Sequence, residues 1–440
     1  MKRTTLVPPQ RAITDPNSHS PKSPQDQDTG AKPIPYTGSP LLLCLSDIAL
    51  FWRNIWSIPG VLTPLHSPEG TPLDELYPSP QNIFTLGLHC FLLVFEGLFL
   101  ISLPFTVLLP VWITLVYGGL VWVVVWGVSM VLNGDREMTS SIDLSHDHPH
   151  NDECWIFLNG VSIGHHWMHT NLDRLSLTFR RPILGVHNRT YGIIFDLIQC
   201  IVERCFCYAT LDIRRSYAVI RAKLLDSDNK RVVLILHSQG GIEGSLILDW
   251  LLGELPHDII NKLEIYTFGS AANHFNNPPK HISSSSSSSS SSCSARNTNA
   301  VRHIEHYVNA GEFVARWGAL TFARLPNRYM GRLFIRPGTG HLLNQHYLSA
   351  MFPLDEHNRV REYSEFMDMD VDFDADEADS NVRENYMETL LNDGEDIQGV
   401  AVVEDRRDGV RWLEDGEASG MRVSAFSRLW CYRNGMSPRD

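Results

Sequence analysis

The stretch RVVLILHSQGGIEGSLILDWLLGEL, residues 231–255, decides which fold this sequence predicts. Residues 232–236 are five apolar, mostly β-branched side chains in a row, as in a parallel strand that is buried on both faces. Residues 242–251 carry apolar side chains at helical spacing and Pro256 follows them, which predicts a helix. Ser238 stands at the turn between the two, and a serine at a sharp strand-to-helix turn is typical of a nucleophile elbow. We therefore expect an α/β fold with Ser238 raised above one edge of a parallel sheet.

Two features of the neighbourhood suit that role for Ser238, and one does not. Gly240 and Gly241 have no Cβ, so the helix can approach the strand closely. The amide N–H of Gln239 lies at the helix start and is a candidate donor to an oxyanion. Leu236, however, occupies the position where the usual elbow pattern has a glycine, so neighbouring backbone must leave room for its side chain. A serine in an ordinary strand-to-helix loop is the alternative interpretation.

The charge of this 440-residue chain is concentrated near one end. The net charge is −13, and residues 355–417 hold 22 Asp and Glu against 6 Lys and Arg, a net of −16, which leaves +3 for the remainder. Because no basic surface is available for phosphates, we do not expect nucleic-acid binding. The eight cysteines are scattered without a common zinc spacing, so we predict no disulfide framework, no metal and no cofactor.

The first 82 residues divide into two parts. Residues 1–40 are rich in Pro, Ser, Thr and Asp without apolar periodicity, so we expect a disordered tail, and this polar start is not that of a cleavable signal peptide. Residues 41–82 read as an amphipathic segment and a linker. The apolar and aromatic residues 41–58 would lie at a membrane surface or pack on the segment that follows.

Residues 83–132 predict a transmembrane hairpin. Glu96 is the only formally charged side chain in the 48 residues from 85 to 132, and one bilayer-spanning helix needs about 20 apolar residues. We expect helices at 83–103 and 111–132, with Pro104 and Pro110 breaking the run at the turn. Glu96 would need a proton or a partner such as His89. The alternative is a hairpin buried in a protein core.

Residues 133–153 predict a solvated linker to the next domain. His146, His148 and His150 alternate with aspartates there, and such a pattern could also ligate a metal. We favour the linker interpretation over the metal site.

Residues 154–354 show the alternating pattern of an α/β domain. We predict further strands at 155–158, 263–268, 303–308 and 332–336, and helices at 192–208 and 215–225. Ten consecutive serines at 283–292 cannot build a core, so we assign 283–294 to a flexible insertion. The acidic residues 355–440 predict a largely disordered tail whose last segment, GMRVSAFSRLWCYRNG, could return to the domain as a short helix.

Two more side chains complete a candidate catalytic triad with Ser238. Glu312 follows the strand 303–308 on a glycine-containing turn, and His341 follows the last strand after the turn PGTG. Catalysis by a nucleophilic serine needs a histidine to take the hydroxyl proton and a carboxylate to orient the histidine ring. His346, one helical turn further on, is the alternative base.

The loop after the strand 155–158 is the candidate second half of an oxyanion hole. In hydrolases of this plan, the loop after an early strand supplies one N–H to the oxyanion. Gly160 would allow close approach, and the backbone N–H of Val161 or Ser162 would be the donor. An ordinary glycine turn is the alternative.

These motifs together resemble the lipase-like branch of the α/β-hydrolase superfamily. The likeness rests on HSQGG, TFGSAAN and GTGHLLNQHYL in that order, and it covers about residues 150–354. WIFLNGVSIGHHWMHTNLDRL and FRRPILGVHNRTYGIIFDLIQC are similar, more narrowly, to a group of uncharacterised fungal hydrolase-like proteins. The resemblance implies a serine carboxylic-ester hydrolase with Ser238 as nucleophile, Glu312 as acid and His341 as base. Leu236, and a Glu where Asp is commoner, depart from the family pattern.

The resulting hypothesis is a membrane-anchored serine hydrolase of an ester, with a lipid or another hydrophobic ester as substrate. Tethering raises the local concentration of an insoluble substrate. One alternative is a non-catalytic membrane protein that uses a hydrolase-like domain as an interaction module, because fold does not guarantee activity. The other is an acyltransferase or thioesterase with the same acyl-enzyme chemistry. Organelle, membrane side and protein partners stay open.

Overall fold

A computed structural model describes residues 3–7, 39–66, 70–145, 150–278, 299–323, 325, 328–373 and 422–438. Four predicted features lie wholly or partly outside these ranges. They are the serine-rich insertion, most of the acidic tail, residues 8–38 of the N-terminal tail, and residues 146–148 of the linker with alternating His and Asp.

A mixed, mostly parallel sheet forms the centre of the described chain. Its strands are β1 (Thr4–Val7), β2 (Glu137–Thr139), β3 (Glu153–Leu158), β4 (Ile183–Val186), β5 (Arg231–His237), β6 (Leu263–Phe268), β7 (His303–Asn309), β8 (Arg332–Arg336) and β9 (Val371–Phe373). They lie in the order β2-β4-β3-β5-β6-β7-β8-β1-β9. Neighbours from β4 to β8 are parallel, while β2 and β1 join the two sides of this block antiparallel. The five strands predicted between residues 155 and 336 are confirmed as β3 and β5–β8.

Helices cover both faces of this sheet, as the sequence predicts. They are α1 (Pro40–Asn54), α2 (Pro59–Leu62), α3 (Pro80–Thr106), α4 (Val111–Leu132), α5 (His165–Phe179), α6 (Ile193–Phe206), α7 (Leu211–Leu225), α8 (Gln239–Glu254), α9 (His257–Ile260), α10 (Phe313–Trp317), α11 (Ala319–Phe322), α12 (Ser349–Met351) and α13 (Val423–Phe426). Two 3₁₀ helices (Ile55–Ser57 and Leu429–Gly435) and a π-helix (Leu343–Leu348) complete the set in the described residues.

Alternate side chains of the central strands enter two separate cores. Leu234 and Leu236 of β5 join the core beneath α6, α7 and α8. Val233 and Ile235 join the core beneath α5, the π-helix and the C-terminal segment. Because successive residues of a strand point to opposite faces, the unbroken apolar run of β5 is what a doubly covered strand requires.

Two expectations about disorder are wrong. Residues 4–7 form β1, which pairs with β8 through Val7 and Leu333, and Leu6 is fully buried. Residues 355–373, which the sequence places in the disordered tail, fold against the sheet: β9 pairs with β1, and Phe366 and Met367 are fully buried. In both cases a few apolar side chains complete the core from a distant part of the chain, which a polar or acidic neighbourhood conceals. The last segment returns to the domain as expected, since residues 422–438 pack on the sheet with Leu429 and Tyr432 fully buried.

The apolar hairpin is formed by α3 and α4. The most apolar 18-residue window of each helix has a mean hydropathy of 2.1. Only 17% of that window is buried in α3, and only 22% in α4. They are long and apolar enough to cross a membrane, and their exposure contradicts the alternative of a hairpin buried in a core. Pro104 lies inside α3 rather than ending it, and the helix extends to Thr106.

Candidate active site

Ser238 occupies the turn between β5 and α8 in a strained backbone conformation. Its φ is 56° and its ψ is −115°, a region that residues with a side chain rarely adopt. Tight packing of the first turn of α8 accompanies this strain. A Cβ at Gly240 would lie 2.5 Å from the carbonyl oxygen of Leu158, and a Cβ at Gly241 would lie 2.2 Å from Ser270 Oγ. Ser238 therefore has the geometry of a nucleophile elbow.

Leu236 is accommodated by a glycine on the helix instead of one on the strand. It is fully buried, and a Cβ at Gly244 of α8 would lie only 2.3 Å from its Cδ1 atom. The space that the usual elbow pattern creates within the strand is created here on α8. The departure from that pattern is thus compensated by packing.

Glu312 and His341 meet at the carboxyl edge of the sheet. Glu312 Oε1 lies 3.4 Å from His341 Nδ1, because β7 and β8 are parallel neighbours and the two residues follow their carboxyl ends. Glu312 is fully buried, and its carboxylate accepts the backbone N–H groups of Val314 and Ala315 at 2.6 and 2.7 Å. The start of α10 therefore fixes the carboxylate beside the imidazole.

The imidazole of His341 is buried but has no hydrogen bond. Neither Nδ1 nor Nε2 has a partner among the described residues, so the bonds from Glu312 to His341 and from His341 to Ser238 are not formed. In contrast, the His341 backbone is fixed, since its N–H donates to Val61 and its carbonyl lies 2.8 Å from His237 Nε2. Catalytic hydrogen bonds are commonly long before substrate binds.

The two other histidines of this region have structural contacts. His346 Nδ1 accepts the N–H of Leu342 at 3.0 Å, and its Nε2 lies 2.8 Å from the carbonyl of Pro64. Burial lowers the pKa of His346 to about 4 and that of His237 to about 3. With both ring nitrogens occupied and no carboxylate contact, His346 lacks the contact that His341 has with Glu312.

The predicted oxyanion loop lies directly against Ser238. A Cβ at Gly160 would be 2.5 Å from Ser238 Cβ and 3.1 Å from its Oγ. The backbone N–H of Ser162 donates to Asp196 Oδ2 at 2.9 Å, so it is occupied. In the described residues, the N–H groups of Val161 and Gln239 have no hydrogen-bond partner, which leaves these two as the available donors.

Sequence reasoning missed the buried carboxylates that hold this loop and α8. Asp196 is buried and accepts from Ser162, and burial raises the pKa of Asp196 to about 6. Glu203 accepts the side-chain amide of Gln239 at 3.0 Å, and burial raises the pKa of Glu203 to about 7. Both belong to α6, where each is an acidic residue in an amphipathic pattern, so the sequence carries no signal for either role.

A segment preceding the hairpin contacts the loops that carry two of the three candidate triad residues. The carbonyl of Gly60 in α2 accepts the N–H of Gly340 at 2.7 Å, and a Cβ at Gly60 would lie 2.5 Å from the carbonyl oxygen of Gly311. The loops that carry Glu312 and His341 are therefore both in contact with α2. Ser238 is only 3% exposed.

No protein-family model matches this chain, and comparison with curated proteins and with solved structures gave no match either. The chain has an α/β fold with a mostly parallel sheet and two long apolar helices. The hydrolase assignment and the roles of the site residues stay predictions.

Proposed function

We propose that this protein is a membrane-anchored serine hydrolase that cleaves a carboxylic ester through an acyl-enzyme intermediate. The observation that supports this most is the convergence of three distant residues at one sheet edge. Ser238 occupies a strained elbow at the end of β5, and Glu312 Oε1 lies 3.4 Å from His341 Nδ1. The ring of His341 lies 4.8 Å from that of His237, the residue before Ser238. Ser238 would attack the ester carbonyl, His341 would take the hydroxyl proton, and Glu312 would stabilise the imidazolium.

The proposed substrate is a lipid or another hydrophobic ester, in keeping with a role in lipid metabolism. The two exposed apolar helices α3 and α4 would anchor the domain in a membrane, where such esters concentrate. The N–H groups of Val161 and Gln239 would bind the oxyanion of the tetrahedral intermediate. We propose no metal or cofactor for this chemistry.

Labelling with a fluorophosphonate tests the proposal directly. We expect the full chain in detergent micelles to be labelled at Ser238 and the Ser238→Ala variant not to be labelled. Ser245→Ala is the matched control, because Ser245 is also buried in α8 but its hydroxyl donates to the carbonyl of Ile242. A folded sample that is not labelled would favour a non-catalytic interaction module instead.

Competition between acceptors separates a hydrolase from an acyltransferase or thioesterase. All three form the same acyl-enzyme and differ in what attacks it. With p-nitrophenyl esters of graded length, a hydrolase releases free acid in the presence of added alcohols or thiols. Predominant transfer to an added alcohol, or a strong preference for thioesters, would change the assignment within the same fold.

A further inference from the structure

The apolar hairpin is joined to the α/β domain by a buried carboxylate. Glu96, in the middle of α3, is fully buried and accepts the backbone N–H groups of Ile194 and Phe195 at 3.0 and 3.3 Å. These amides belong to the first turn of α6, whose N-terminus attracts negative charge. His89, the partner considered from the sequence, stacks on Trp167 instead. Glu96 is thus a cap for a helix of the other domain.

The backbone opposite Glu96 is shaped to receive it. Gly192 immediately precedes α6 and has a φ of +103°, and a Cβ there would lie 1.6 Å from Glu96 Oε1. A residue other than glycine would have both an unfavourable φ and a clash with the carboxylate. The contact therefore depends on a matched pair, Glu96 in the hairpin and Gly192 in the domain.

The second helix of the hairpin contacts the same loop. Asn133 ends α4, and its side chain forms two hydrogen bonds with the backbone of Thr190, accepting from its N–H at 3.0 Å and donating to its carbonyl at 2.7 Å. Leu132 also lies close to the end of the predicted oxyanion loop, since a Cβ at Gly164 would be 2.7 Å from the Leu132 carbonyl oxygen. Both helices therefore bind residues 190–195.

Asp196 connects this loop to the oxyanion loop. Its carboxylate accepts the hydroxyl of Thr190 at 2.7 Å, the N–H of Tyr191 at 2.9 Å and the N–H of Ser162 at 2.9 Å. Ser162 has a φ of +57°, which is unfavourable for a residue with a side chain and needs support from its surroundings. Asp196 provides that support one residue from the candidate donor Val161.

We propose that the hairpin is a structural support of the oxyanion loop as well as an anchor, and that Asp196 and Glu96 are positioning residues acting through Ser162. This inference rests on the proposed function. It has a consequence that anchoring alone does not have. Cleavage of a small water-soluble ester, for which membrane attachment is irrelevant, requires the contacts between the hairpin and residues 190–195.

The test compares full-length variants in detergent micelles. We expect Glu96→Leu and Asp196→Ala to lower the labelling rate of Ser238 by a fluorophosphonate, and kcat for p-nitrophenyl acetate, by about 10- to 100-fold, because a displaced oxyanion donor costs at most about 10²–10³-fold. KM should change by less than about threefold, since the support acts mainly on the transition state. Glu96→Gln keeps an acceptor oxygen and should recover most of the rate.

Ser102→Ala is the matched control within the hairpin. Its hydroxyl lies 2.7 Å from the Tyr117 hydroxyl between α3 and α4, so this variant loosens the hairpin without touching residues 190–195, and we expect an unchanged rate. Thr190→Val removes the hydroxyl that donates to Asp196 and accepts the N–H of Gly192, and it serves if Asp196→Ala does not fold. Wild-type labelling rates in folded Glu96→Leu and Thr190→Val would overturn the inference. An unlabelled wild type would instead overturn the proposed function.

Discussion

The carboxyl and amino ends of the parallel strands differ in how their buried polar groups are paired. At the carboxyl edge, both ring nitrogens of His341 lack hydrogen-bond partners within the described chain. At the amino edge, Glu264 accepts from Arg428 at 2.9 Å and from the hydroxyls of Tyr266 and Tyr432 at 2.7 and 2.8 Å. Burial works to raise the pKa of Glu264, yet Arg428 and Arg231 together hold this pKa below its ordinary value.

The difference separates an edge whose buried charges are paired from one that holds an unpaired imidazole. Buried polar groups are normally paired, and exceptions concentrate at functional sites. The paired amino edge holds the C-terminal segment on the sheet, because Arg428 and Tyr432 belong to that segment. The unpaired carboxyl edge keeps donors and acceptors free at a cost in stability. Variants at the two edges should therefore have opposite effects on activity and on the free energy of unfolding.

The largest effect is expected from His341→Ala at the carboxyl edge. Loss of a general base lowers kcat by about 10²–10⁴-fold. The free energy of unfolding should fall less than in His346→Ala, because the buried ring of His341 loses packing on His237 but no hydrogen bond. His346→Ala is the control. It removes two buried ring contacts and should cost about 1–3 kcal/mol of stability with little loss of labelling per folded molecule. If His346→Ala loses the labelling and His341→Ala keeps it, the base assignment must be exchanged.

The next effect is expected from Arg428→Met at the amino edge. The variant removes the two hydrogen bonds from Arg428 to buried Glu264 and leaves Arg231, 3.1 Å away, as the remaining cation beside that carboxylate. It should therefore cost about 1.5–3 kcal/mol in urea unfolding. Labelling of Ser238 per folded molecule should stay at the wild-type rate. Arg433→Met is the control in the same segment, because Arg433 packs over the ring of Trp430 and forms no salt bridge with a carboxylate in the described parts of the chain. Equal losses for the two variants would contradict the distinction between the edges.

The sequence predicts the residues of the carboxyl edge better than the contacts that hold them in place, for a physical reason. Ser238, Glu312 and His341 each follow a strand, and parallel strands bring such residues to one edge whatever the details of packing. Asp196 and Ser162 are 34 positions apart and meet only through side-chain packing. The space that Gly244 of α8 leaves for Leu236 likewise depends on a packing contact that the sequence does not reveal.

Strand β1 shows a second limit of sequence reasoning. TTLV at residues 4–7 is too short for its alternation to stand out, and its partner β8 lies more than 320 positions away. The segment is a strand only because an edge of the sheet is available to it. Local composition gives no information about such a distant partner, and the polar residues that follow β1 favour the opposite assignment.

The smallest effect is expected from Glu243→Gln. This variant tests whether unpaired polar groups near the carboxyl edge lower the free energy of unfolding. Glu243 lies in α8 close behind the elbow, and neither of its carboxylate oxygens has a hydrogen-bond partner among the described residues. Burial raises the pKa of Glu243 well above its ordinary value of 4.5. The folded chain therefore keeps the proton on Glu243 to a higher pH than the unfolded chain does. The contribution of that proton to the free energy of unfolding is complete below pH 4.5 and is lost as the pH rises through the pKa of the folded chain.

The glutamine variant does not have this pH dependence. Urea unfolding at pH 5, 6 and 7 should thus show Glu243→Gln gaining on the wild type by up to about 1.4 kcal/mol per pH unit. Glu254→Gln is the control on the same helix, because Glu254 forms a surface ion pair with Arg221 that contributes no more than about 1 kcal/mol. A difference between Glu243→Gln and the wild type that stays constant with pH would mean that Glu243 is ionised or paired in the folded chain. The carboxyl side would then carry no such cost at this residue, and the contrast with the amino edge would be confined to the triad itself.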